Sequence, residues 1–293
     1  MADSPNSPPP GEPVGARPDQ PVCVRHPDRA TGLRCVRCDR PSCPECLRDA
    51  SVGYQCVDCV NEGRRTVRRP RTFVGAEVTG GMVVTRVLIA VNVVAFLASA
   101  LLAGSLWENY QSREFADLEM WPAAVYFGEW WRLLTYGFLH VGPLHLAFNM
   151  VALHILGQKL EPEFGRLRFL AVYLLSQLGG GLAVYLFDSV DVSVAGASGA
   201  VYGLMGALLL AAVRGRFDFG FVLSVVVLAT VFSFFQPNLS LLAHGGGFVI
   251  GSAVTAGLVY APAVRRERWH ALAVGGAFAL IVVMAFVRTG QLG

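Results

Sequence analysis

Two groups of residues in this chain have the types and spacing to do chemistry. The first centres on a single hydroxyl among very small residues, Gly196-Ala197-Ser198-Gly199-Ala200-Val201-Tyr202-Gly203, heading an apolar run that continues to Val213. His244 lies 46 positions further on, in a second apolar run studded with glycine. An imidazole in hydrocarbon is costly and tends to mark function. An alcohol and an imidazole on two helices can meet as nucleophile and general base. No acidic residue accompanies either run, so the expectation is a Ser198–His244 dyad rather than a triad. The ring of Tyr202, one turn after Ser198, is expected to hold the imidazole by stacking.

An earlier apolar run opens with Gly142-Pro143 and carries His145 and Asn149, with His140 just before it. Residues four apart share a helix face. Asn149 and His145, with the backbone N–H of Ser198, are expected to donate to the oxygen that gains charge when a peptide carbonyl is attacked. The alternative is polar packing between helices. His154 is read as structural.

The second group is a cysteine array: Cys23-x2-His26, Cys35-x2-Cys38, Cys43-x2-Cys46 and Cys56-x2-Cys59. Four pairs supply eight ligands, enough for two tetrahedral sites. The odd cysteine count, seven, and the matching His26 argue against a disulfide framework. Two structural zinc ions are expected, with another metal or an iron–sulfur centre as the alternatives, and no cofactor is expected for catalysis. Sequential pairing and a cross-brace, first pair with third and second with fourth, are both open. A region this small needs metal to fold, and its thiolates survive best in a reducing cytosol. The order of pairs resembles a B-box or RING-related finger. That resemblance implies a small protein-binding module with a protein partner.

The elements that must position these groups follow from an uneven composition. Residues 1–82 hold all the cysteines and many charges, whereas nearly everything from Val83 to Val287 is apolar apart from loops. No charged stretch, apolar core and cleavage site open the chain, so no removed signal peptide is expected. The expected organisation is a disordered leader over 1–20, a zinc-binding module over 21–60 and a basic juxtamembrane linker over 61–82. A membrane core over 83–260 and a seventh helix with a tail over 261–293 follow. The linker's Arg64, Arg65, Arg68, Arg69 and Arg71 suit anionic lipid better than nucleic acid, which is not expected as a partner.

Seven spans are expected, at 83–103, 143–160, 167–187, 198–213, 219–235, 242–260 and 270–288. With a cytosolic amino terminus, Lys159, Arg166 and Arg168, then Arg214 and Arg216, then Arg265, Arg266 and Arg268 fall on inner loops. Asp188, Asp191 and the neutral Gln236-Pro237-Asn238 fall outside, as the excess of cations on cytoplasmic loops requires. The long outer loop 104–132 mixes acids with aromatics such as Trp107, Trp121 and Trp131 and is expected to lie in the interface. Gly199 with Gly203, and Gly247 with Gly251, would let two helix backbones approach and bring Ser198 to His244.

Taken jointly, these residues resemble the rhomboid intramembrane serine proteases over about 83–260. Trp131-Arg132 is similar to the family's Trp-Arg pair, and His140-x4-His145-x3-Asn149 to its second-helix motif. Gly157 to Gly165 with Glu161 is similar to its cytoplasmic turn. Gly196-Ala197-Ser198-Gly199 with Tyr202 resembles its nucleophile motif, and Ala243-His244-x2-Gly247-x3-Gly251 its base helix. The resemblance implies an all-α polytopic membrane protein with a six-helix core, here followed by a seventh span. It further implies a serine endopeptidase whose site is recessed below the extracytoplasmic face and cuts transmembrane protein substrates near small residues. A non-hydrolytic membrane binding protein and a transporter are the other classes. No internal repeat favours the transporter, and no His-Glu-x2-His occurs to favour a metalloprotease.

Overall fold

The computed structural model describes residues 20–66, 71–77, 80–233 and 240–292. The expected leader lies outside the described residues but for Gln20, as do Arg68 and Arg69 and the triplet Gln236-Pro237-Asn238. The chain divides into two compact units at Arg69/Pro70.

The first unit is two small antiparallel hairpins and a helix. β1 (Val22–Cys23) pairs with β2 (His26–Ala30), and β3 (Leu47–Asp49) pairs with β4 (Tyr54–Cys56), which leads into α1 (Val57–Thr66). Among the described residues its buried apolar side chains are six of its cysteines and Leu47. So little ordinary core cannot offset the ordering of the chain. The cysteine side chains must do that work.

The second unit is a helical bundle. α2 (Val83–Ala103) is followed by a loop with a 3-10 turn, Asn109–Gln111, and three short helices: α3 (Arg113–Ala116), α4 (Pro122–Tyr126) and α5 (Arg132–Thr135). Then come α6 (Gly142–Phe164), α7 (Arg166–Phe187), α8 (Ser198–Val213), α9 (Phe219–Ser233), α10 (Leu241–Val259) and α11 (Arg266–Leu292). Among the described residues α2, α7, α10 and α11 are long and apolar enough to cross a membrane. α6, joined to Arg132–Phe138 through a break bent by 96°, makes a fifth at most, and α8 and α9 are shorter apolar helices.

α8 is apolar all round, and twelve of its residues are buried. A helix of that kind belongs inside a bundle rather than on its rim. It packs between α7 and α10 with almost no spacing. A Cβ on Gly251 would lie 2.5 Å from the Gly203 Cα, and one on Gly247 would lie 2.7 Å from the Gly199 carbonyl carbon. The two glycine pairs therefore form one backbone-to-backbone seam between α8 and α10.

Polar side chains fix the ends of the other helices. Glu161 on α6 is fully buried and accepts from Val84 N (2.9 Å), Thr85 N (2.8 Å) and Thr85 Oγ1 (2.7 Å). It thereby caps the first turn of α2, where unpaired N–H groups favour an anion. The basic residues gather at this same end of the bundle. Arg168 pairs with Glu267 (2.9 Å), Arg216 pairs with Glu163 (3.3 Å), and Arg214 lies over the Tyr260 ring. Part of the 61–82 stretch also packs here: Val74 and Ala76 are buried, and the Phe73 ring lies 5.8 Å from that of Phe164.

At the opposite end the long loop is built rather than loose. Arg132 is buried and donates to Glu129 Oε2 (2.6 Å), Ala116 O (2.5 Å) and Glu119 O (2.9 Å). Trp131 beside it is half-exposed and donates to Asp117 O. Asn109 is fully buried and donates to Ser99 Oγ (2.9 Å) and His140 O (2.8 Å), while its Oδ1 accepts from Gly142 N (3.0 Å). One amide thus sets the break before α6.

Candidate active site and metal clusters

Ser198 is the first residue of α8, and its side chain is half-buried. The chain enters it through Gly196 at φ 137°, a backbone conformation that other residues rarely adopt. One turn along α8, the Tyr202 ring stacks on His244 of α10, with centroids 4.1 Å apart and planes 12° from parallel. His244 itself is buried. The Gly199–Gly247 contact lies next to Ser198 on α8 and one turn from His244 on α10.

His145 approaches from α6. A Cβ at Gly196 would meet its Nε2 at 2.9 Å and the Ser198 Oγ at 3.7 Å, so both flank the same glycine. Val141 N donates to His145 Nδ1 (3.4 Å). That nitrogen is then the acceptor, and the ring proton sits on Nε2, the nitrogen that faces Gly196. His140 is fully buried and presents its ring to His145 edge-on, 5.2 Å between centroids. Asn149 is buried and spends one amide hydrogen on the His145 carbonyl (3.0 Å), which leaves the second for another acceptor. His154 is exposed on the outer face of α6.

Residues not singled out in the sequence complete the surroundings. Gln177 on α7, fully buried, donates from Nε2 to Gly196 O (3.4 Å) and accepts at Oε1 from Ala200 N (3.1 Å). Tyr136, also fully buried, donates to Gln177 O (2.9 Å), and its carbonyl accepts from Gly196 N (3.0 Å). A glutamine in a long apolar run was the available signal, since an unpaired amide would be too expensive there.

In the first unit the ligand candidates meet in two groups, Cys23–His26–Cys43–Cys46 and Cys35–Cys38–Cys56–Cys59, each with its ligand atoms within 4.8 Å of one another. The first pair joins the third and the second joins the fourth, so of the two arrangements open in the sequence this is the cross-brace. His26 turns Nδ1 to the cluster, 3.3 Å from both Cys43 Sγ and Cys46 Sγ. A hydrogen bond from the Cys43 backbone pulls the Cys23 thiol down to about 6, whereas burial pushes Cys59 up to about 12. Sulfurs this close cannot all ionise without a cation between them. Both donor sets, one of three thiolates with an imidazole and one of four thiolates, suit zinc.

Buried polar groups converging among apolar helices define a polytopic α-helical membrane protein with a cluster of polar side chains inside its bundle. Residues 127–261 match the family model of the rhomboid domain. The chain is 38% identical over 136 residues to the rhomboid protease GluP of Bacillus subtilis (strain 168), covering 45% of this chain and 26% of that protein. It is 34% identical over 132 residues to the putative rhomboid protease YdcA of the same organism, covering 42% and 66%. To the rhomboid protease AarA of Providencia stuartii it is 24% identical over 216 residues, covering 62% and 75%. Over residues 127–261 the chain is similar to rhomboid-domain membrane proteins. Its match spans about a quarter of the length of GluP and just under two thirds of YdcA.

Proposed function

We propose that this protein is an intramembrane serine endopeptidase that cleaves transmembrane protein substrates through a Ser198–His244 dyad and an acyl-enzyme. The observation that carries the reading is the Tyr202–His244 stack at 4.1 Å, one turn from Ser198. The similarity to proteins named as rhomboid proteases supports the same class of reaction.

His244 takes the Ser198 proton as the oxygen attacks the scissile carbonyl, then returns it to the leaving amine. Water hydrolyses the acyl-enzyme by the same exchange in reverse. The oxyanion is held by the Ser198 N–H, the His145 Nε2–H and the remaining Asn149 amide hydrogen, each donor contributing roughly 3 kcal/mol in the transition state. Stacking on Tyr202 orients the imidazole in place of a carboxylate.

The seven apolar helices are read as seven spans, six in the core and α11 after them. With the basic ends of the bundle in the cytosol, Ser198 faces the other side. α8 has sixteen residues and is about 24 Å long, so its first residue lies several ångströms inside a hydrocarbon layer of about 30 Å. Water and substrate reach it from the extracytoplasmic side. The first unit is read as a cytosolic module holding two structural zinc ions, with a protein partner. Reconstituted wild-type protein is expected to cut a labelled transmembrane substrate, and Ser198→Ala to leave it intact. Equal cleavage by the two would remove the assignment.

A further inference from the structure

Ser198 N, Gly199 N and Ala200 N are the donors that the first turn of α8 leaves without a partner in the helix, because the first helical bond runs from Val201 N to Ala197 O. The residue preceding the helix, Ala197, has no side chain able to cap them. A buried helix end without partners is costly. Gln177 supplies the missing cap from a different helix.

It does so in a way that encloses the nucleophile. Its Oε1 accepts from Ala200 N, two residues after Ser198, while its Nε2 donates to Gly196 O, two residues before. The same residue's carbonyl accepts from the Tyr136 hydroxyl, and the Tyr136 carbonyl accepts from Gly196 N. These four bonds close a ring through α7, the turn at Tyr136 and the loop entering α8. Gly137 leaves the room: a Cβ there would overlap the Gln177 amide. Only a neutral side chain with a donor and an acceptor at one tip satisfies both neighbours of Ser198 at this depth.

We propose that Gln177 is a positioning residue for the nucleophile. It fixes the turn that carries Ser198 and, by taking up Ala200 N, leaves the Ser198 N–H aimed at the oxyanion. The inference rests on the reading of Ser198 as the nucleophile.

The test uses the full chain in lipid vesicles, with two variants and a fluorophosphonate probe. The measured quantity is the second-order rate of Ser198 modification, alongside kcat and KM on a transmembrane substrate. Gln177→Leu keeps the shape and loses both bonds. It is expected to fold, to react at least tenfold more slowly, and to lose kcat with KM unchanged, since a misplaced reacting group costs rate rather than binding. Gln177→Glu accepts from Ala200 N at any pH but donates to Gly196 O only while protonated. The ratio of its rate to wild type is therefore expected to be near unity in acid and to fall as pH rises.

A Gln177→Leu variant reacting like wild type would overturn the inference. So would a Gln177→Glu ratio that stays flat with pH, and that arm decides the matter if the leucine variant does not fold. Absence of any Ser198 adduct in the wild type would instead strike the reading of the nucleophile itself.

Discussion

Adding one methyl group to the seam between α8 and α10 tests whether that seam sets the catalytic distance. In Gly247→Ala the new carbon would lie 2.7 Å from the Gly199 carbonyl carbon and 3.0 Å from its Cα. Carbon atoms rest about 3.5–4.0 Å apart, and backbone cannot rotate aside, so the helices must part by about 1 Å. Overpacking of this kind costs about 1–3 kcal/mol of stability. The larger effect is chemical. Gly199 follows Ser198 directly, and Gly247 lies one turn from His244, so the displacement separates the two groups themselves. A shift of about 1 Å in a reacting group can cost about a hundredfold in rate.

The expected result is a folded protein whose cleavage of a reconstituted transmembrane substrate is slowed by about two orders of magnitude. Gly245→Ala is the control, because it adds the same methyl two residues away where nothing lies within 4 Å. That control is expected to cleave normally. Gly247→Ala cleaving at the wild-type rate would refute the argument, as would equal losses in both variants.

Three further outcomes follow from the same geometry. Glu161→Ala removes the buried acceptor of three hydrogen bonds to α2, and is expected to destabilise the bundle by about 3–5 kcal/mol, read as a fall in thermal midpoint; an unchanged midpoint would contradict the capping role. Tyr202→Leu removes the stack on His244 while keeping a bulky apolar side chain, and is expected to lower kcat more than tenfold with the fold intact. The purified full chain is expected to carry two zinc ions, and chelation to expose its seven cysteines to a thiol reagent; a metal-free protein with unreactive thiols would contradict the zinc reading.

What was legible in the sequence and what was not divides along the range of the interactions. The apolar runs that became α2, α7, α10 and α11 announce themselves, because a helix in lipid satisfies its own backbone and must be apolar outward. The cysteine pairs were equally plain, since a two-residue spacer is local geometry. Which pairs meet was not, because a cross-brace joins pairs about twenty positions apart, beyond the reach of local spacing. Glu161 stood out through its resemblance to a family turn, yet its partners Val84 and Thr85 lie on another helix. Gln177 and Asn109 went unnoticed for the same reason: each satisfies donors and acceptors that come together only once the bundle is assembled. Within 61–82, composition suggested a basic linker, but Phe73, Val74 and Ala76 supply enough apolar surface for the turn at 71–77 to pack on the bundle.

The most direct measurement of the central claim is the position of a fluorophosphonate adduct, mapped by mass spectrometry on the reconstituted protein. A single adduct on Ser198 is expected, lost in His244→Ala while that variant keeps its thermal midpoint. An adduct that forms undiminished without the imidazole, or that sits on any other residue, would contradict that claim.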